Sequence, residues 1–146
     1  MRLAILTLFT LGLLAGCQPD NDTPPPAAQL EDTRWLLVQV EETPLTAASS
    51  SDANRAYLLL ASDTRKTEGL ASCNSFGGTY ALGSASGTLT FSEQASTKAA
   101  CPAQLLEMRY LSALPRTSRY EIKGEQLRLF GPDNSLTPRL VFERAH

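Results

Sequence analysis

Residues 33–144 are written mostly in short alternations of apolar and polar side chains broken by turn residues, and one segment alone carries a helical repeat. Period-two runs bury one face each, so a chain of this kind must fold a sheet over its own core. The runs are Thr33–Val40 (TRWLLVQV), Arg55–Leu60 (RAYLLL), Thr79–Leu82, Thr88–Phe91, Arg119–Lys123, Gln126–Phe130 and Leu136–Arg144. GSASG at residues 83–87 separates one pair as a turn. Gly124-Glu125 separates another, and glycine at the first of two loop positions signals a type II′ hairpin. Pro138 marks an edge or the start of the last strand. The exception opens at Cys101-Pro102 and ends before Pro115: Leu106, Tyr110 and Leu114 recur every four residues with Leu111 beside them. That predicts about three turns of helix with a proline at each boundary. Strands, one helix and strands again predict an α+β domain with a mainly antiparallel sheet, because no repeated helical crossover is present to join parallel strands.

Ahead of this domain the chain has two other textures. Arg2 is followed by a 13-residue run, Leu3–Ala15, that is apolar apart from Thr7 and Thr10. It is too short for the ~20 residues a membrane span needs, and has the form of a secretory signal peptide. It closes on Leu14-Ala15-Gly16-Cys17, which resembles the bacterial lipobox, so residues 1–16 are expected to be removed and Cys17 to carry the lipid. Residues 17–29 then form a proline-rich tether with no large apolar side chain, able to reach about 40 Å from the lipid surface if extended. Residues 30–146 remain as the folded domain. Gln18, in place of an aspartate after the lipidated cysteine, favours the outer membrane, facing the periplasm.

Charge and composition exclude more than they assign. Thirteen basic against fifteen acidic side chains leave a formal charge of −2, which gives no electrostatic footprint for nucleic acid. The single histidine is His146, the last residue, so the usual general base is missing from the interior. There is no glycine-rich phosphate loop, Ser-His-Asp set or metal-ligand cluster, and no cofactor is expected. Glu107 is the one oddly placed carboxylate: on a helical wheel it falls inside the apolar arc, where it needs an arginine or backbone amides as partner, or serves a ligand pocket. Asn74 and Gly77-Gly78 read as turn residues, and Glu41-Glu42, Arg116 and Arg119 as solvated charges. Two cysteines remain beyond Cys17. In an oxidising compartment Cys73 and Cys101 are expected to form a disulfide, with two buried free thiols the competing reading.

The setting of these cysteines carries a resemblance. Gly69-Leu-Ala-Ser-Cys73-Asn74-Ser-Phe76-Gly-Gly78-Thr-Tyr80, then Thr97-Lys-Ala-Ala-Cys101 and, six residues on, Glu107, resemble the paired motifs of the META domain family, whose bacterial members include HslJ-like envelope lipoproteins. Trp35 and the closing Leu127/Leu129 and Leu140/Phe142 pairs fit it too. Ser72 stands where the family usually has glycine, and Ala99-Ala100 replace a methionine-containing step. The resemblance implies a sheet curved into a partial, cracked barrel with one main helix. It implies no catalytic activity. It links the chain to envelope stress tolerance, through binding of an envelope protein or an apolar ligand in which Asn74, Phe76, Gly78, Tyr80, Thr97 and Glu107 would take part. The rival expectations are a closed interaction module without a pocket and a hydrolase using Glu107.

Overall fold

The computed structural model describes residues 29–45, 55–100 and 102–146. The leader, Cys17, nearly all of the tether and Cys101 lie outside the described residues. The strands are β1 (Trp35–Val40), β2 (Thr43–Pro44), β3 (Tyr57–Ala61), β4 (Lys66–Leu70), β5 (Ser75–Leu82), β6 (Leu89–Phe91) and β7 (Ala95–Ser96). Helix α1 (Gln104–Ala113) follows, and β8 (Arg119–Lys123), β9 (Gln126–Phe130) and β10 (Leu140–Arg144) complete the fold. Across the sheet the order is β6-β5-β4-β3-β1-β10-β9-β8, with β2 along β1 and β7 along β5. Every pairing is antiparallel.

The two ends of this order return to each other. Thr88 bridges Arg119, the Leu89 N–H donates to the Ser118 carbonyl at 3.2 Å, and the Tyr120 N–H donates to that of Gly87 at 2.7 Å. Pairing goes no further, so the sheet is a barrel nearly closed, with one unsealed seam between β6 and β8. This is the α+β fold the alternating runs and the single helical repeat predict.

Inside the barrel the apolar positions interdigitate. Trp35, Leu58, Leu60, Leu127, Leu129, Leu140 and Phe142 are each fully buried. In β1 the register against β10 shifts between Leu37 and Gln39. That bulge turns Trp35, Leu37 and Val40 all inward although their spacing changes from two to three. Each large core side chain contributes about 2 kcal/mol of transfer free energy, which is why the inward faces dominate register.

Several local expectations are corrected. β4 has no apolar stripe: Lys66 and Glu68 face out, and Thr67 and Gly69 face in, so alternation could not reveal it. Gly69 is there for space, since a Cβ would sit 2.3 Å from the Phe76 ring across the ladder. Gly77 and Gly78 do not reverse the chain; they continue β5, with the Gln94 side chain lying where a Cβ of Gly78 would be. The last strand is shorter than its run, beginning at Leu140, with Leu136 exposed and Pro138 two residues ahead of it. Pro102 precedes α1 by two residues instead of opening it. The other boundary stands: α1 ends at Ala113, before Pro115 as expected, and the proline sits in a 3₁₀ turn, Leu114–Arg116, whose early positions need no N–H. Arg119 is not simply solvated, for its guanidinium lies 3.8 Å over the Phe130 ring and donates to the Ser135 carbonyl at 2.8 Å.

Candidate functional site

α1 lies across one end of the barrel. The close of β1, the start of β3, the β4–β5 loop and the start of β5 meet there, and each has a residue against the helix or in bond with it. Tyr110, fully buried, is the plug: its ring meets Phe76 edge-on at 5.5 Å and Phe142 at 5.9 Å, and its hydroxyl donates to the Tyr57 carbonyl at 3.2 Å. Burial pushes the Tyr110 hydroxyl well above the ordinary tyrosine range. With Ala113 and Leu114 also buried, the space between helix and sheet is filled by side chains of the chain itself.

One helical turn before Tyr110, Glu107 turns inward as the amphipathic spacing predicts and is only 8% exposed. Its partners come from the β4–β5 loop. Oε2 accepts the Asn74 N–H at 3.1 Å and the Cys73 N–H at 3.5 Å, and Oε1 accepts the Asn74 Nδ2 at 2.8 Å. Asn74 is itself 2% exposed, and its carboxamide makes every bond it can. Nδ2 also donates to the Ala99 carbonyl at 3.1 Å, while Oδ1 accepts the Ala99 N–H at 2.7 Å and the Thr97 hydroxyl at 2.8 Å. Asn74 therefore does not serve its own turn, as an asparagine in a glycine-rich loop would be expected to. It fastens three segments together: the β4–β5 loop, the strand leading out of β7, and α1. Because Ala99 is held to Asn74, the chain just before Cys101 runs beside the chain just after Cys73.

The motif residues thus divide. Asn74, Thr97 and Glu107 are one cluster, with the Cys73 backbone in it and Phe76 beside it through Tyr110. Gly78 is in mid-strand. Tyr80 is at the other end of the barrel, where its hydroxyl donates to Glu31 and lies 3.1 Å from the Ala61 carbonyl. Arg65 pairs with the same Glu31 oxygen and stands 5.6 Å from the Tyr80 ring centre. Burial first, then the bond to Glu31, pushes the Tyr80 hydroxyl up to about 12. Next to it the Ser62 hydroxyl and then the Ser62 N–H hold the Asp32 carboxyl below its usual value. Sequence reading missed Glu31 and Arg65. Arg65 sits in the tight β3–β4 turn at φ 56° and Glu31 ahead of the first strand, so neither belongs to an alternating run.

Beside the Glu107 cluster the surface is hollow. A groove of about 520 Å³ runs along α1 between Ser96, Gln104, Leu105, Met108 and Leu111, with Glu107 on its floor. On the far side of Leu105 a second hollow of about 190 Å³ is walled by Val40, Leu45, Leu106 and Arg109. Leu105 and Met108, 57% and 61% exposed, form the ridge. Three N–H donors from the β4–β5 loop engage the two oxygens of Glu107 and hold its carboxylate toward that loop. Among the described residues, no group of three His, Cys, Asp or Glu is placed to hold a metal.

Comparison with known proteins agrees with this architecture. The META domain family model matches residues 28–145. A solved structure of a protein from Burkholderia xenovorans is 28% identical, with a TM-score of 0.60 over 80% of this chain and 83% of that one. A second solved structure, 20% identical, shares the fold, with a TM-score of 0.56 over 78% of this chain and 90% of that one. No curated protein matches the chain.

Proposed function

The chain belongs to the META domain family, and on that premise we propose that it is a non-enzymatic, HslJ-like envelope lipoprotein that supports envelope stress tolerance by binding a protein partner along α1. Lipid on Cys17 and the tether of residues 17–29 would hold it to the outer membrane, facing the periplasm. The observation that carries the reading is the contrast between a filled interior and an open, apolar-walled surface. Tyr110, Phe142 and Leu114 occupy the space a ligand between sheet and helix would need, whereas Leu105 and Met108 stand out beside a groove large enough for side chains of a second protein. The Cys73–Cys101 disulfide belongs to this proposal. The bonds from Asn74 to Ala99 support it by bringing the flanking chain together, and a bridge there would tie the α1 entry to the β4–β5 loop.

The test is a native mass spectrum of the chain exported to a periplasm and purified without reductant, set against a denatured, reduced sample. The expected result is an apo mass carrying the two-proton deficit of one disulfide. An additional apolar species of several hundred daltons retained by the folded chain would overturn partner binding in favour of a lipid carrier.

A further inference from the structure

The end of the barrel opposite α1 is closed by a segment that belongs to no strand. Residues 30–33 precede β1 and lie beside the close of β3, where the Asp32 N–H donates to the Leu60 carbonyl at 2.8 Å. Leu30 is buried in the core cluster, and its carbonyl accepts the Trp35 indole N–H at 2.9 Å. The side-chain anchors of the segment are two carboxylates. Glu31 accepts from the Tyr80 hydroxyl and pairs with Arg65. Asp32 accepts the Ser62 N–H at 3.0 Å on one oxygen and the Ser62 hydroxyl at 2.6 Å on the other.

These anchors differ in kind from those of the strands. Ladders of backbone bonds do not titrate, whereas a bond to an ionised acceptor weakens when that acceptor takes up a proton. Asp32, Ser62 and Arg65 are exposed and Glu31 is half-buried, so protons reach both carboxylates. The titratable groups facing Glu31 are Arg65 and Tyr80, and Tyr80, with its hydroxyl pushed up to about 12, keeps its proton throughout the acid range. Asp32 bonds Ser62; Asp63 in the same turn and Lys66 at the start of β4 are exposed. Arg34, next along the chain, lies 3.9 Å over the Tyr57 ring. Because the Ser62 hydroxyl and N–H hold the Asp32 carboxyl below its usual value, what Asp32 contributes is complete above the unfolded value and is lost as pH falls through the folded one.

We propose that residues 30–33 are an acid-released strap: protonation of Glu31 and Asp32 frees this segment while the strands and α1 stay folded, which lengthens the free chain ahead of β1 and opens the seat of Leu30 to solvent. Local opening breaks far fewer contacts than unfolding does, and here the backbone is tied to β3 by the Asp32–Leu60 bond where each long strand has a ladder. The strap carries its own reporter. Trp35 is the chain's single tryptophan, and its indole N–H is bonded to the strap. The device lies at the end away from α1 and is independent of the partner-binding reading.

The experiment takes the whole exported chain from about pH 7 to about pH 3, following Trp35 emission and the hydrogen exchange of residues 30–33, with β9 and far-UV circular dichroism as the reference for the fold. Exchange in the strap, corrected for its intrinsic pH dependence, is expected to rise at least about tenfold, the factor that one pKa unit between the strapped and free carboxylates supplies. Trp35 emission shifts to the red over the same range, while β9 stays protected and the dichroism is unchanged. Glu31→Gln with Asp32→Asn keeps both shapes and suits the left-handed backbone of residue 32 at φ 56°. In that variant the strap exchanges fast already at neutral pH and responds no further to acid. Strap and β9 losing protection together would make the loosening global, an unchanged strap would make it a fixed part of the barrel, and a transition that survives the double change would assign it to other groups. Each of the three overturns the proposal.

Discussion

The two ends of the barrel are fastened by different chemistry. At the α1 end a carboxylate and a carboxamide are buried, and their bonds go largely to backbone amides, which do not move unless the fold moves. At the other end Glu31, Arg65 and Tyr80 form a clasp in which Glu31 is 25% and Arg65 54% exposed. Buried polar groups are costly to orphan, while an exposed ion pair contributes about 0–1 kcal/mol. The α1 end should therefore behave as a rigid latch that holds the presenting surface, and the clasp end as a seam that adjusts with little loss.

Substitutions can break that contrast in order of size. Asn74→Ala removes the partner of Glu107 Oε1, of both Ala99 backbone groups and of the Thr97 hydroxyl at once, leaving only the backbone N–H bonds to Oε2, and should lower unfolding free energy by about 3 kcal/mol, read by urea denaturation. Glu107→Gln keeps the shape but points an amide at Asn74 donors, and should cost about 1–2 kcal/mol. It also decides the hydrolase rival: loss of a turnover with stability intact would make Glu107 catalytic, and loss of stability without any activity to lose fits the latch. Tyr80→Phe removes the partly buried hydroxyl shared between Glu31 and the Ala61 carbonyl, at a cost of about 1 kcal/mol.

The same tyrosine gives a pH signature. With its hydroxyl pushed up to about 12, the folded chain keeps a proton that an unfolded tyrosine releases near pH ~10. Stability from Tyr80 is complete below the unfolded value and is lost as pH rises through the folded one. Denaturation midpoints should therefore fall between about pH 10 and 12, and fall less steeply in Tyr80→Phe, where Tyr110 still retains this linkage. Ser72→Gly should act in the opposite direction. Ser72 is held at φ 157°, backbone that glycine adopts far more readily, and the change should stabilise by about 0.5–1 kcal/mol. Arg65→Ala, at the exposed half of the clasp, should cost less than about 0.5 kcal/mol and less still in high salt.

Legibility in the sequence followed the same division. Strands with an apolar inward face, such as Trp35–Val40 and Gln126–Phe130, were readable because burial imposes period two on side chains. Glu107 was readable as a buried acid because a helix puts it between Leu106 and Tyr110, and the resemblance pointed to Asn74. β4 was hidden because its inward positions are Thr67 and Gly69, chosen for a hydroxyl bond to Gln94 and for room beneath Phe76. The partners of Asn74 were hidden too. Ala99 contributes only its backbone, and no side-chain pattern records a carbonyl that a distant residue will use. Tyr80 belongs to the same motif by sequence but to the opposite end by structure, since β5 runs from one end of the barrel to the other.

The central claim is that Asn74 and Glu107 act as one latch across the β4–β5 loop and α1. A double-mutant cycle on Asn74→Ala and Glu107→Ala, measured by urea denaturation, tests it most directly. A coupling free energy of about 2 kcal/mol or more is the predicted result, because each single change already costs what the pair shares. Losses that add to within about 0.5 kcal/mol would contradict it, for the two residues would then be stabilising the fold separately.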